Sequence, residues 1–197
     1  MLIPTDPGAQ GGRVRERILK VARGRFEAKG YRRTGIGEIA RGAGVAAGTV
    51  YRYYRDKEHL FVEVMREMFD RWADAADRVL GEPGSATERL MRLGQASIDF
   101  NSENRLFNAI LARDEELAFA PLLDDMNEHI MRHNVAKMAD VIRDGIARGE
   151  FRADLEPEAT AYVLWVGGEA LFRQRRRPYD EVLPIYVQIV MLGYAPR

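Results

Sequence analysis

The sequence contains no cysteine. Disulfide bonds, thiol nucleophiles and thiolate metal ligands are therefore excluded, and the absence fits a reducing compartment. No segment approaches the ~20 consecutive apolar residues of a transmembrane helix, so we expect no membrane partner and a cytoplasmic location. Residues 1–12 have no apolar stretch long enough for a signal peptide, and their prolines and glycines predict a flexible tail.

The sequence also lacks a net charge, because 30 lysine and arginine residues balance 30 aspartate and glutamate residues. The two signs are unevenly distributed, however. Residues 1–60 contain 13 basic and six acidic side chains, whereas residues 61–197 contain 17 basic and 24 acidic ones. This asymmetry predicts a basic N-terminal module that binds a polyanion such as nucleic acid, carried by an acidic body.

No segment shows the sustained alternation of apolar and polar residues that marks a half-buried strand. Apolar residues instead recur every three or four positions along most of the chain. We therefore predict an all-α fold of about nine helices, with a helix-turn-helix domain at residues 13–58 and a larger ligand-binding and dimerisation domain at 59–197. Asp56 is the expected N-cap of the fourth helix, and Gly30 is the expected end of the first.

The most informative segment runs from Ile36 to Tyr53. Two short helices that cross at a steep angle leave no room for a large side chain at the crossing, and their turn commonly needs glycine. Ala40 and Gly44 stand at those two positions, and Val45 and Val50 can fill the space between the helices. The spacing therefore predicts a helix-turn-helix.

The second helix of this unit turns a row of small or polar residues outward, and an α-helix fits the major groove of DNA. Arg52 could form a bidentate contact with guanine, and Thr49 could reach a base or a phosphate. Phosphate contacts fix the register on DNA without reading its sequence. The candidates for such contacts are Thr34, Tyr51, Tyr53, Tyr54 and Lys57.

Residues 30–60, GYRRTGIGEIARGAGVAAGTVYRYYRDKEHL, resemble the DNA-binding signature of the tetracycline-repressor (TetR) family. The resemblance implies a three-helix DNA-binding domain, a fourth linking helix, an all-α regulatory domain, and a dimer formed mainly by the last two helices. It assigns groove contacts to Ala46, Ala47, Gly48, Thr49, Arg52 and Tyr53, and phosphate contacts to Thr34, Tyr51, Tyr53 and Lys57. Gly35 departs from the family's usual serine or threonine, so the cap of the second helix is expected to be weaker or to fall to Thr34.

The first helix carries a very basic outer face, formed by Arg13, Arg15, Arg17, Arg23, Arg25 and Lys29. Such a face is either a phosphate-binding surface or a solvated one. Beside a helix-turn-helix we favour phosphate binding.

Methionine and aromatic residues form a stripe along the regulatory helices, which is either ordinary core or the wall of a cavity for an apolar effector. The expected ligand-binding residues are Met65, Phe69, Trp72, Phe100, Phe107, Ile110, Leu111, Met126, Ile130, His133 and Trp165. His129 and His133 stand four residues apart, but they have no third ligand in a metal-binding motif, so we expect no metal and no cofactor.

Gly167 and Gly168 interrupt an apolar helix, and two glycines there require a compensating close contact. The last helix has more apolar surface than one neighbour would cover. We therefore expect both helices to pack against their copies across a two-fold axis. The expected interface residues are Leu164, Gly167, Gly168, Leu171, Phe172, Val182, Tyr186, Ile189 and Val190.

These patterns favour a ligand-responsive transcriptional regulator, most simply a repressor that binds a palindromic operator on double-stranded DNA as a homodimer and is released by a small, largely apolar effector. A ligand-independent or architectural DNA-binding protein shares every N-terminal feature and is the alternative. No catalytic set of nucleophile, acid and base stands at motif-like spacing, so we do not expect an enzyme.

Overall fold

The computed structural model describes residues 7–111, 120–173 and 177–194. Within these ranges the fold is all-α, with nine helices and no strand. The helices are α1 (Pro7–Arg33), α2 (Ile36–Gly42), α3 (Ala47–Tyr53), α4 (Lys57–Gly81), α5 (Ala86–Glu103), α6 (Arg105–Leu111), α7 (Ala120–Ala147), α8 (Pro157–Arg173) and α9 (Tyr179–Tyr194). None of these described helices is long and apolar enough to cross a membrane.

The predicted helix positions agree closely with this architecture, and the main difference is at the N-terminus. Helix α1 begins at Pro7, so residues 7–12 of the expected tail are helical, whereas residues 1–6 lie outside the described part of the chain. Gly30 adopts φ 76° and ψ 169°, which interrupts α1 where the sequence predicts its end, although helical residues resume up to Arg33. A positive φ is accessible to glycine at little cost.

A single hydrophobic core joins the helix-turn-helix to the start of α4. Phe61 of α4 contacts Phe26 of α1 edge-on, with 5.1 Å between ring centroids, and it contacts Tyr31 at the same distance. The Asp56 side chain accepts a hydrogen bond from the backbone N–H of His59 at 2.7 Å and so caps α4 as predicted. Helix α4 is therefore fixed to the N-terminal unit at one end and runs into the body at the other.

The body consists of α5–α9, in which α5 and α7 pack against α4, α8 packs against α7, and α9 packs against α5 and α8. Ser85 and Glu88 form a capping box that begins α5. Helix α7 lies against α8, and the connection between them turns at Gly149, whose φ is +72°. Phe151 follows that turn and is buried, and both its ring and the Cβ of Ala86 lie close to Gly145.

Candidate nucleic-acid interface and effector pocket

The turn between α2 and α3 has the geometry that the sequence predicts. Ala40 and Ala43 are buried where the two helices meet. Gly44 has φ +63°, and the backbone N–H of Val45 then donates a hydrogen bond to the carbonyl of Ala40 at 3.0 Å. A side chain larger than that of Ala40 would separate the two helices.

Helix α3 is attached to the core through one fully buried residue, Val50. The residues on its outer side are all exposed, and they are Ala46, Ala47, Gly48, Tyr51 and Arg52. Thr49 and Tyr53 are half-buried, and the guanidinium carbon of Arg52 lies 5.5 Å from the centroid of the Tyr53 ring. This cation–π contact holds Arg52 beside the exposed surface of α3.

Two of the predicted phosphate contacts are wrong, because their side chains belong to the core. Thr34 is 1% exposed, and its hydroxyl donates to the carbonyl of Gly30 at 2.8 Å. That hydroxyl therefore does not cap α2, whose N-cap residue Gly35 has no side-chain cap. Tyr54 is also 1% exposed, and its hydroxyl donates to the carbonyl of Arg15 at 3.3 Å. Burial raises the pKa of Tyr54 to about 12.

Lys57 lies at the junction of α1 and α4. Its Nζ donates a hydrogen bond to the carbonyl of Tyr31 at 3.0 Å and lies 4.3 Å from the centroid of that ring. The side chain remains half-exposed. A lysine ammonium has three donors, so one bond to the protein leaves Lys57 able to bind a phosphate as well.

The basic face of α1 is largely neutralised by carboxylates of α2 and α4, which sequence reasoning did not anticipate. Four of its six cationic side chains form ion pairs, and their binding to phosphates stays a prediction. The pairs are Arg15 with Glu63, Arg23 with Glu67 at 3.2 Å, Arg25 with Glu38 at 3.3 Å, and Lys29 with Glu38 at 2.7 Å. These contacts help to fix α1 to its neighbours.

In the body, residues of α4, α5, α7, α8 and α9 line a half-open cavity of about 90 Å³, which we call the inner chamber. Its wall is mostly apolar, and both tryptophans of the chain contribute to it. Its polar residues include Ser97, Tyr179 and Glu169, and Ser97 hydrogen bonds with Tyr179. A largely apolar wall with a few polar groups is typical of a small-molecule site.

Of the predicted ligand-binding residues whose side chains the structure describes, Trp72 and Trp165 line the inner chamber. Phe69, Phe100 and Phe107 instead pack together beside Trp72, with ring centroids of Phe100 and Phe107 4.9 Å apart. These side chains therefore pack behind the chamber wall and belong to the core.

Of six further predictions for the pocket, three residues are not on the chamber wall and three have side chains outside the described residues. Met65 and Ile130 are buried in the core, away from the chamber wall. His133 points at α4, with its Nε2 3.8 Å from the Asp77 carboxylate. The side chains of Ile110, Leu111 and Met126 lie outside the described residues.

Sequence reasoning missed the chamber residues Ser97, Glu169 and Tyr179. They come from three different helices, and no spacing within one helix marks a residue that meets another across a cavity. The side chain of His129 lies outside the described residues, which contain no group of three His, Cys, Asp or Glu suited to a metal ion.

Gly167 of α8 has a close contact within the same chain. A Cβ on Gly167 would collide with the Tyr186 ring of the same chain, and the Tyr186 hydroxyl donates to the carbonyl of Val163 at 3.0 Å. Gly168 and Leu164 face the inner chamber. The close approach that Gly167 permits within the chain is therefore between α8 and α9. Leu164 is buried, whereas Gly167, Gly168 and Tyr186 are half-buried, and their place in a dimer interface stays a prediction.

Helices α8 and α9 nevertheless carry exposed apolar side chains. Val163 is 58% exposed, Ile185 56% and Ile189 63%, and Tyr162 and Val166 are exposed beside them. Of the remaining predicted interface residues, Leu171, Val182 and Val190 are half-buried, and the Phe172 side chain lies outside the described residues. Ile189 is thus the one predicted interface residue whose described side chain is strongly exposed.

Comparison with known proteins agrees with this architecture. Residues 18–64 match the family model described as bacterial regulatory proteins, tetR family. The HTH-type transcriptional repressor KstR2 of Mycobacterium tuberculosis is 31% identical over 148 residues, which are 72% of this chain and 71% of that protein.

Solved structures show the same fold. A transcriptional regulator from Cytophaga hutchinsonii has a TM-score of 0.76 at 21% identity and covers 92% of this chain and 98% of its own. FadR of Bacillus subtilis, solved in complex with stearoyl-CoA, has a TM-score of 0.72 at 18% identity, with 90% and 98% covered. The sequence match, the helix-turn-helix and the helical body together establish that this chain belongs to the TetR family of bacterial transcriptional regulators.

Proposed function

We propose that this protein is a transcriptional repressor that binds a palindromic operator as a homodimer and is released when a small, largely apolar effector occupies the inner chamber. The observation that carries the proposal is the exposure of α3. One side of that helix is anchored by Val50, and the other side offers small residues together with Arg52. A helix built in this way can enter a major groove without steric obstruction.

The small residues at positions 46–48 read no base through hydrogen bonds, since they have no polar side chains. Their role is to let the backbone approach the DNA closely. Arg52 supplies the direct readout, because a guanidinium forms two parallel hydrogen bonds with the O6 and N7 atoms of guanine. Thr49 lies one turn earlier on α3 and contacts an adjacent base or phosphate. Tyr51, Tyr53 and Lys57 set the register through phosphates.

The apolar surface of α8 and α9 supports a homodimer. Val163, Ile185 and Ile189 would each be costly to leave in water, and a second copy related by a two-fold axis would cover them. Such a dimer presents two copies of α3, which match half-sites about 34–36 Å apart, one turn of DNA.

The effector acts through α4. Trp72 lines the inner chamber from α4, and the N-terminal part of α4 packs against α1 through Phe61. A ligand that favours a shifted position of α4 therefore changes the spacing of the two α3 helices. The free energy by which the ligand shifts the equilibrium between the two positions of α4 equals the difference between its binding free energies for them.

Selection of bound fragments from random DNA, followed by binding titrations, tests the DNA-reading assignment. Arg52→Ala removes one bidentate base contact from each half-site of the homodimer, so it should weaken binding to the selected operator by roughly 30- to 25,000-fold and relax the preference at one base pair in each half-site. Arg78→Ala is the matched control. Arg78 is an exposed arginine about 20 residues after the start of α4, and so about 30 Å from the DNA-binding end of that helix. Unchanged operator preference with Arg52→Ala would refute the role of Arg52.

A further inference from the structure

The outermost line of α3 is formed by a glycine and an arginine. An α-helix turns by about 100° per residue, so Gly48 and Arg52 each lie about 160° around α3 from the buried Val50. Both residues are exposed. When α3 enters a major groove, these two positions therefore face the base edges, and positions on the flanks of the helix face the phosphates.

Neither the packing of the chain nor its backbone conformation explains why position 48 is glycine. Gly48 lies within α3 and is not among the glycines with a positive φ. A Cβ placed there would have no atom of the chain within 4 Å. Alanine would therefore fit, and it favours a helix more than glycine does. The exposed Gly24 of α1 has the same freedom, but Gly48 stands one turn before Arg52 on the same face of the proposed DNA-reading helix.

The missing side chain leaves a gap on the surface of α3 beside two methyl groups. Residues three and four positions apart are neighbours on a helix surface, so Tyr51 and Arg52 stand beside Gly48 on its C-terminal side. Ala46 and Ala47 precede it, and both are exposed. The gap, which we call the Gly48 notch, is about as large as the methyl group that alanine would place there.

One of the four bases presents a group that suits this gap. Thymine turns its C5-methyl group into the major groove, and the other three bases carry no methyl group there. Small apolar side chains such as alanine contact that methyl group favourably. A cytosine at the same place would turn its N4 amino group toward the methyl groups of Ala46 and Ala47, which accept no hydrogen bond, and an unsatisfied donor is unfavourable.

We propose that the Gly48 notch receives the C5-methyl group of a thymine in each half-site of the operator. Gly48 and Arg52 are separated by about 6 Å along α3, and successive base pairs by about 3.4 Å. The thymine therefore lies within about two base pairs of the guanine that Arg52 reads. This inference rests on the proposed operator binding and adds the identity of a second base and the residue that selects it.

Operator duplexes that carry deoxyuridine in place of thymidine test the proposal with the full-length protein. Uracil pairs with adenine as thymine does but lacks the C5-methyl group. Each thymine of an operator selected from random DNA is replaced in turn, in both half-sites together. For one thymine position the replacement should weaken binding of the wild type about 15-fold, since each of the two buried methyl groups contributes about fourfold. That position should lie within two base pairs of the guanine whose preference Arg52→Ala relaxes.

Gly48→Ala should reverse this preference, because its methyl group fills the notch. The variant should bind the thymine operator at least about fivefold more weakly than the wild type does, and it should bind the uracil operator more tightly than the thymine operator. Its Tm should be equal to or higher than that of the wild type, which separates a lost contact from a lost fold. Gly81→Ala is the matched control. Gly81 is an exposed glycine at the far end of α4 with no atom within 4 Å of the new Cβ, so this variant should keep the wild-type preference for thymine.

The outcomes separate this inference from the proposed function. An operator that binds equally well with uracil at every thymine position, or a thymine preference that persists in Gly48→Ala, would overturn the Gly48 notch and leave operator binding intact. Failure of the folded wild type to enrich any sequence from random DNA would overturn operator binding and the notch together. Reversal of the preference in Gly48→Ala, with Gly81→Ala unchanged, supports the inference.

Discussion

A buried hydrogen bond joins the pocket wall to the rest of the body, and its removal should have a measurable cost. The indole N–H of Trp72 on α4 donates to Oδ1 of Asn134 on α7 at 3.2 Å, and both residues are buried. Asn134→Leu preserves the approximate shape of the side chain but leaves the indole N–H without an acceptor. A buried unsatisfied donor costs about 1–3 kcal/mol.

The expected loss is small enough for the fold to persist, because domains have unfolding free energies of about 5–15 kcal/mol. For a chain of this size each kcal/mol lowers the Tm by roughly 2–4 °C, so Asn134→Leu should lower it by roughly 2–12 °C. Denaturant unfolding followed by circular dichroism gives the change in free energy directly.

A double-mutant cycle isolates the bond from the change in packing. Trp72→Phe removes the donor and also some buried surface, so it destabilises on its own. In the double variant neither hydrogen-bonding group of this pair remains without its partner. Trp72→Phe combined with Asn134→Leu should therefore lower the unfolding free energy by about 1 kcal/mol less than the sum of the two single variants. Strict additivity of the two costs would refute the assignment of this hydrogen bond.

Two other substitutions test the packing and the titration of the core. A Cβ on Gly145 would lie 2.5 Å from the Phe151 ring, so Gly145→Ala should lower the unfolding free energy by about 1–3 kcal/mol in denaturant unfolding. Gly24→Ala in α1 is the control, because its Cβ would have no atom within 4 Å and the substitution should not destabilise the protein. The pKa of Tyr54 is raised from 10.0 to about 12 by burial, so its stabilising contribution is complete below pH 10 and is lost as the pH rises toward 12. Tyr54→Phe should therefore lose less stability than the wild type between pH 10 and pH 12, and an identical alkaline loss in both proteins would contradict this reasoning.

The helix-turn-helix could be predicted from the sequence because its determinants are local. Ala40, Gly44 and Val50 lie within eleven residues, and each residue type answers a steric demand of one tight turn between two short helices. The helical period likewise determined where each helix lies, since a buried face repeats every 3.6 residues whatever it packs against. Asp56 as a cap follows from the same short-range chemistry.

Only the tertiary structure decided which buried faces meet and which side chains remain free. The sequence could not show that carboxylates of α2 and α4 would neutralise the basic side of α1, nor that Tyr186 would occupy the space over Gly167. Nor could it separate the residues that line the inner chamber from those that fill the core, since both are apolar and recur with the same period. These features depend on how distant helices are rotated and translated against each other, and that arrangement is set by packing over the whole fold.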